Sequence, residues 1–128
     1  MFKVKVDTAQ NILYISISGL LSFDEAEKIK EQIQSKVSLL SPGFNVINDL
    51  SKYIRGDETA APILKEIMLN LIKMEVNHII RVVGHSKVAL IQFANNSPSI
   101  EQYKISYVPS LSEAEELLCS LKQKKTVL

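Results

Sequence analysis

The chemistry in this sequence is concentrated between Asp49 and Ala60, in the stretch DLSKYIRGDETA. Asp49, Asp57 and Glu58 are carboxylates, Ser51 and Thr59 carry hydroxyls, and Arg55 is a cation. General acid–base work needs such groups to converge, with pKa values displaced toward the working pH. Nothing in this spacing imposes convergence. Asp57, Glu58 and Thr59 stand instead where a helix should begin. Acidic and hydroxyl side chains there satisfy free N–H groups and suit the positive helix end. Other reactive groups are isolated. His78 and His85 are seven residues apart, and neither has a Cys or His partner at metal-binding spacing. No Gly-x-Ser-x-Gly elbow is present. The four glycines are scattered and form no phosphate-binding loop. The residues therefore indicate a non-enzymatic protein with no metal and no cofactor.

Composition narrows the class further. The chain has 128 residues, enough for one domain with a real core. It is 46% hydrophobic and 23% charged, as globular proteins are. A net charge of +1 gives no electrostatic case for nucleic acid. The sparse aromatics do not interleave with basic residues, which argues against RNA recognition by stacking. The basic run Lys122, Lys124 and Lys125 lies in what reads as a flexible tail. One cysteine, Cys119, allows no internal disulfide and fits a reducing compartment. No apolar run reaches the ~20 residues that span a bilayer. MFKVKVDT lacks a signal-peptide core, so a cytoplasmic location is expected.

The elements that must position the polar stretch follow from periodicity. FKVKVD and ILYISIS alternate with period two, which predicts two strands covered on one side, joined as a hairpin by DTAQN. From Phe23 the period becomes helical, with Phe23, Ala26, Ile29, Ile33, Val37 and Leu40 on one stripe. Ser22 and Glu25 form a capping-box pattern at its start, and SPG at 41–43 ends it. FNVIND reads as a buried strand. A second helix is expected over Ala60–Met74, since Pro62 fits only a first turn. Ile63, Ile67, Leu71 and Met74 form its core face, while Met68, Leu69 and Ile72 extend an apolar arc beyond it. HIIRVVG is apolar on both faces and reads as a central strand. KVALIQFANN reads as a short helix, YKISYVP as a strand, and SLSEAEELLCSLK as a last helix. That helix should turn Leu111, Ala114, Leu117, Leu118 and Leu121 inward and leave Cys119 peripheral. The order is β-β-α-β-α-β-α-β-α, an α/β fold in which the later strands must be parallel.

This order, together with one motif, resembles the STAS family. That family includes bacterial anti-sigma-factor antagonists and the cytoplasmic domains of sulfate transporters. Its strand-to-helix segment runs roughly D-L-S-G-x-x-x-x-D-S-S-G. DLSKYIRGDETA lies over it without a gap, with Asp49, Leu50, Ser51 and Asp57 matching. ISISGLLSFDEAEKIKEQI also looks like the family's second strand and first helix. The resemblance covers nearly the whole chain. It implies a single domain over 1–128, a mixed sheet of about five strands, and helices packed mainly on one face. It also implies a switch in which a partner kinase phosphorylates the first serine of D-S-S-G and so controls docking. Here Glu58 occupies that serine's position, Thr59 the second serine, Ala60 the glycine, and Lys52 the glycine after D-L-S. A carboxylate cannot accept phosphate from a serine kinase, and it carries about −1 against roughly −1.5 to −2 for phosphoserine.

The expected function is thus a STAS-like regulatory module. It docks a protein partner, of which an anti-sigma-type kinase is the implied example, through residues 57–60. Asp49, Ser51, Asp57, Glu58 and Thr59 form the site. An alternative is a small-ligand or lipid-binding module using Met68, Leu69, Ile72 and the apolar Val88–Ala94 segment. The same surfaces could also serve as a homodimer seam.

Overall fold

The structure is a computed structural model and describes residues 1–84 and 105–126. Alternation in the first segment produces β1 (Phe2–Asp7) and β2 (Ile12–Ile17), paired antiparallel from Phe2↔Ile17 to Asp7↔Ile12. Asn11 turns the hairpin with φ 59°, a left-handed conformation that Asn tolerates better than most residues. A three-residue strand, β3 (Gly19–Leu21), leads into α1 (Phe23–Val37), which Ser22 caps by accepting the Glu25 N–H at 3.1 Å. Next come β4 (Asn45–Asp49), β5 (Tyr53–Gly56) and a 3₁₀ turn (Glu58–Ala60). The 3₁₀ turn opens directly into α2 (Ala61–Lys73), with Pro62 in its first turn. β6 (His78–Val82), β7 (Ile105–Val108) and α3 (Leu111–Thr126) complete the described chain.

The main sheet has the order β1-β2-β4-β6-β7, with only β1 antiparallel to its neighbour. This is the mixed five-stranded α/β sheet the sequence leads one to expect, with the HIIRV strand central. α1 and α2 share one face of it. There Ile29 and Ile33 of α1 and Ile67 and Leu71 of α2 pack on Ile15, Val46 and Ile79. α3 lies on the other face, where Ala114 and Leu118 meet Ile12, Ile47, Ile80 and Val82.

Several expectations change. Tyr53–Gly56 is a strand inside the supposed turn, paired in parallel with β3 in a separate two-stranded sheet. Met68 is a core residue at 4% exposure, and Ile72 packs partly against the same core. Leu69 alone of that trio is strongly exposed, so the three form no continuous open patch. Phe23 and Leu111, both placed inward by periodicity, are exposed because each opens its helix, where the neighbouring turn gives no cover. β2 also contributes to both cores, since Ile12 lies under α3. The expected KVALIQFANN helix, His85 and the last residues of the tail lie outside the described residues.

Candidate functional site

The candidate site forms at the carboxyl ends of the parallel strands, where ligand and partner sites of open α/β sheets collect. β4 ends at Asp49, and its chain is tied to the centre of the sheet by Leu50 N–H donating to Val82 O at 2.7 Å. Leu50 is fully buried and acts as the anchor. Asp49 Oδ1 then accepts from both the Ser51 N–H, at 3.0 Å, and the Ser51 hydroxyl, at 2.7 Å. This Asx-type turn lifts the chain off the sheet. Gly84, with φ +58°, passes against the Ser51 backbone.

From Ser51 the chain drops into β5. Tyr53 is buried, and burial pushes its phenol up to about 12. The strand then returns the chain to the surface. Asp57 N–H donates to Leu21 O at 2.9 Å, which fixes the entrance to α2 beside β3. Ala60 N–H donates to Asp57 O at 2.9 Å and closes the 3₁₀ turn, with Ala60 itself fully buried. Asp57, Glu58 and Thr59 are all exposed.

These three side chains do not perform the capping role that their residue types suggest. Asp57 occupies the cap position with an extended backbone, yet its carboxylate makes no capping hydrogen bond. Glu58 and Thr59 form no side-chain hydrogen bond or ion pair with any described residue. The turn is held by backbone bonds and by buried Leu50, Tyr53 and Ala60. Its polar side chains are left facing water at a positive helix end.

The structure brings Asp49 and Ser51 into direct contact. It places Asp57, Glu58 and Thr59 together on the α2 entrance, as a separate group. Beside that entrance lie three exposed apolar side chains: Leu20 and Ile54, each 58% exposed, which no period marks, and Phe23 at 42%, which periodicity turns inward. Leu20 faces Arg55 across the β3–β5 pair, and the pairing slips by one residue at Ile54. The signal was present in YIR, where an apolar residue sits between the buried Tyr53 and the cation Arg55. It could be read only once β5 was recognised as a strand. Among the described residues no cluster of His, Cys, Asp and Glu could hold a metal ion.

With this geometry in place, comparison defines the class: the protein has a STAS-like fold, that of the anti-sigma-factor antagonist SpoIIAA. The unphosphorylated SpoIIAA structure superposes with a TM-score of 0.64 at 13% identity, covering 95% of this chain and 98% of the other. The phosphorylated form of SpoIIAA, a Bacillus cell-fate determinant, gives 0.61 at 12% identity over 92% and 99%. A serine-to-glutamate variant of RsbS from Moorella thermoacetica gives 0.68 at 14% identity over 94% and 98%. No protein-family model matches the sequence, and no curated protein does. The likeness is one of fold, carried by the order of strands and helices.

Proposed function

We propose that this protein is a non-enzymatic regulatory module that docks a protein partner through the α2 entrance, with residues 1–128 acting as one domain. The observation that carries this reading is the state of Asp57, Glu58 and Thr59. Their side chains are exposed, bonded to no described residue, and flanked by exposed Leu20, Phe23 and Ile54. Apolar surface beside unpaired polar groups is what a partner interface uses, the first for affinity and the second for orientation. The fold likeness supports the reading, because structures of this fold include SpoIIAA with and without phosphate and RsbS with a glutamate in place of a serine. Glu58 supplies a fixed negative charge where the family motif places its phosphorylated serine. The site then stands permanently in a charged state and is not switched at that position. Asp49 and Ser51 act beneath it by fixing the turn that precedes β5.

The test uses an anti-sigma-type serine kinase encoded in the same genome, purified and immobilised. Glu58→Lys should weaken its binding by about tenfold or more, or ~1.4 kcal/mol, because the charge at the proposed contact is reversed. Ile54→Ser should weaken it to a similar degree through lost apolar contact. Equal binding by wild type and both variants would remove the α2 entrance as the docking site.

A further inference from the structure

α3 covers only part of the sheet face on which it sits. Ala114 and Leu118 pack over Ile12, Ile47, Ile80 and Val82, toward the centre of the sheet. Among the described residues no helix covers the hairpin half of that face, and a groove runs between it and α3. Two hollows make up the groove, of about 330 and 340 Å³, and both are lined by Tyr14 and Glu115. Each falls within the roughly 300–1,000 Å³ typical of small-molecule sites.

The walls carry opposite charges. Lys3 and Lys5 project from β1 on one side, since their register partners Ser16 and Tyr14 share that face. Glu115 stands on α3 opposite, and Asp49 closes the end nearest the β4 turn. Tyr14 and Ile47 lie between them, with Lys5 Nζ 5.3 Å from the centre of the Tyr14 ring. Leu111 leaves apolar surface open at the same end. Lys3, Lys5 and Glu115 form no ion pair with any described residue. Cations and a carboxylate thus face each other across an apolar floor without neutralising one another.

We infer that this groove binds a small zwitterion with an apolar body, of the amino-acid or dipeptide class. Its carboxylate lies toward Lys3 and Lys5, its ammonium toward Glu115 and Asp49, and its side chain over Tyr14 and Ile47. A simple anion gains the lysines but is repelled by Glu115 and Asp49, and a simple cation meets the reverse. Only a dipolar ligand satisfies both walls, and its apolar body lies against Tyr14 and Ile47. One wall residue also reaches beyond the groove. Asp49 Oδ1 holds the Ser51 N–H and hydroxyl, so a ligand ammonium competing for that carboxylate is felt at Ser51. The groove shares Asp49 with the turn that precedes β5, but Asp57, Glu58 and Thr59 do not line it.

The experiment is an amide-resonance titration of the ¹⁵N-labelled full chain with phenylalanine and with the dipeptide phenylalanyl-leucine. Parallel titrations use 3-phenylpropionate, which lacks the ammonium, and phenethylamine, which lacks the carboxylate. At least one zwitterion should give saturable shifts at Lys3, Lys5, Tyr14, Glu115 and Ser51, with about tenfold weaker binding by both single-charge analogues. Glu115→Lys and the Lys3→Glu/Lys5→Glu double variant should each weaken binding by about tenfold, while Lys65→Glu, on the far side of the sheet, should not. The inference is overturned if neither zwitterion shifts these amides. It is equally overturned if a single-charge analogue binds as well, or if the wall variants bind like wild type.

Discussion

Gly56 lies so close to Tyr53 that a side chain there would collide with it. A Cβ built on Gly56 comes within 2.8 Å of Tyr53 Oη, well inside van der Waals contact. Tyr53 is buried and belongs to the main core, so it cannot simply swing outward. Gly56→Ala should therefore destabilise the protein by about 1–3 kcal/mol, through overpacking at the base of the candidate site. In a Tyr53→Phe background the colliding oxygen is gone, and the same substitution should cost measurably less. A double-mutant cycle by urea denaturation checks this, and strictly additive effects would refute the contact. The sequence shows the glycine but not its reason, because the constraint comes from a tyrosine whose burial depends on the whole fold. Arg81 teaches the same point. HIIRVV reads as a central strand, and it is one, yet Arg81 is only 4% exposed. Register sets it between Asn48 and Tyr107, and its Nη1 donates to Tyr107 Oη at 2.7 Å. Asn48 Oδ1 is buried there with no hydrogen-bond partner among the described residues, beside a cavity of about 30 Å³ that also touches Arg81. That is space for a water molecule. No local pattern announces a polar row that exists only across three strands.

At the scale of elements, periodicity located most of what the structure contains. Each described helix of the main sequence pattern is present, and the strand alternation of the hairpin gives its register directly. What failed was the assignment of individual faces. α2 has so many apolar residues that a single core stripe cannot be chosen from spacing. The choice is made by how the helix rolls against both α1 and the sheet. Met68 turns in at 4% exposure and Leu69 turns out at 41%. β3 and β5 were missed because strands of three and four residues are too short to display a period. Their pairing still decides the site, since the bond from Asp57 N–H to Leu21 O aims the α2 entrance. The motif singles out candidate residues along the chain, but it could not reveal the apolar flank that β3 and β5 expose. The roll of α2 has a direct consequence for two adjacent substitutions. Met68→Ala should cost about 2–5 kcal/mol as a core truncation, whereas Leu69→Ser should stay within about 0.5 kcal/mol. Thermal or urea denaturation of the pair checks the assignment, and comparable losses at both positions would show that the helix is rolled differently.

At the scale of the whole molecule, the sheet separates two apolar layers and carries polar groups at both ends of its parallel strands. The α2 entrance stands at the carboxyl ends of the strands, and His78 stands at the opposite end, where β6 begins. His78 Nε2 lies 2.8 Å from Ser106 Oγ across the β6–β7 pair. Burial disfavours the imidazolium and lowers its pKa below the ordinary 6.5. In the unfolded chain His78 takes up a proton near its ordinary pKa, while the folded protein resists doing so until lower pH. Between those two values the unfolded state binds more protons, so stability is fully present above the ordinary pKa and falls as pH drops through it toward the folded value. The urea midpoint should therefore decline between about pH 7.5 and about pH 5.5, above the range in which carboxylates dominate. His78→Gln keeps a side chain able to bond Ser106 but cannot be protonated, so its midpoint should be flatter over the same interval. If the variant loses stability with acidification as steeply as wild type, the burial of His78 is not what links this fold to pH.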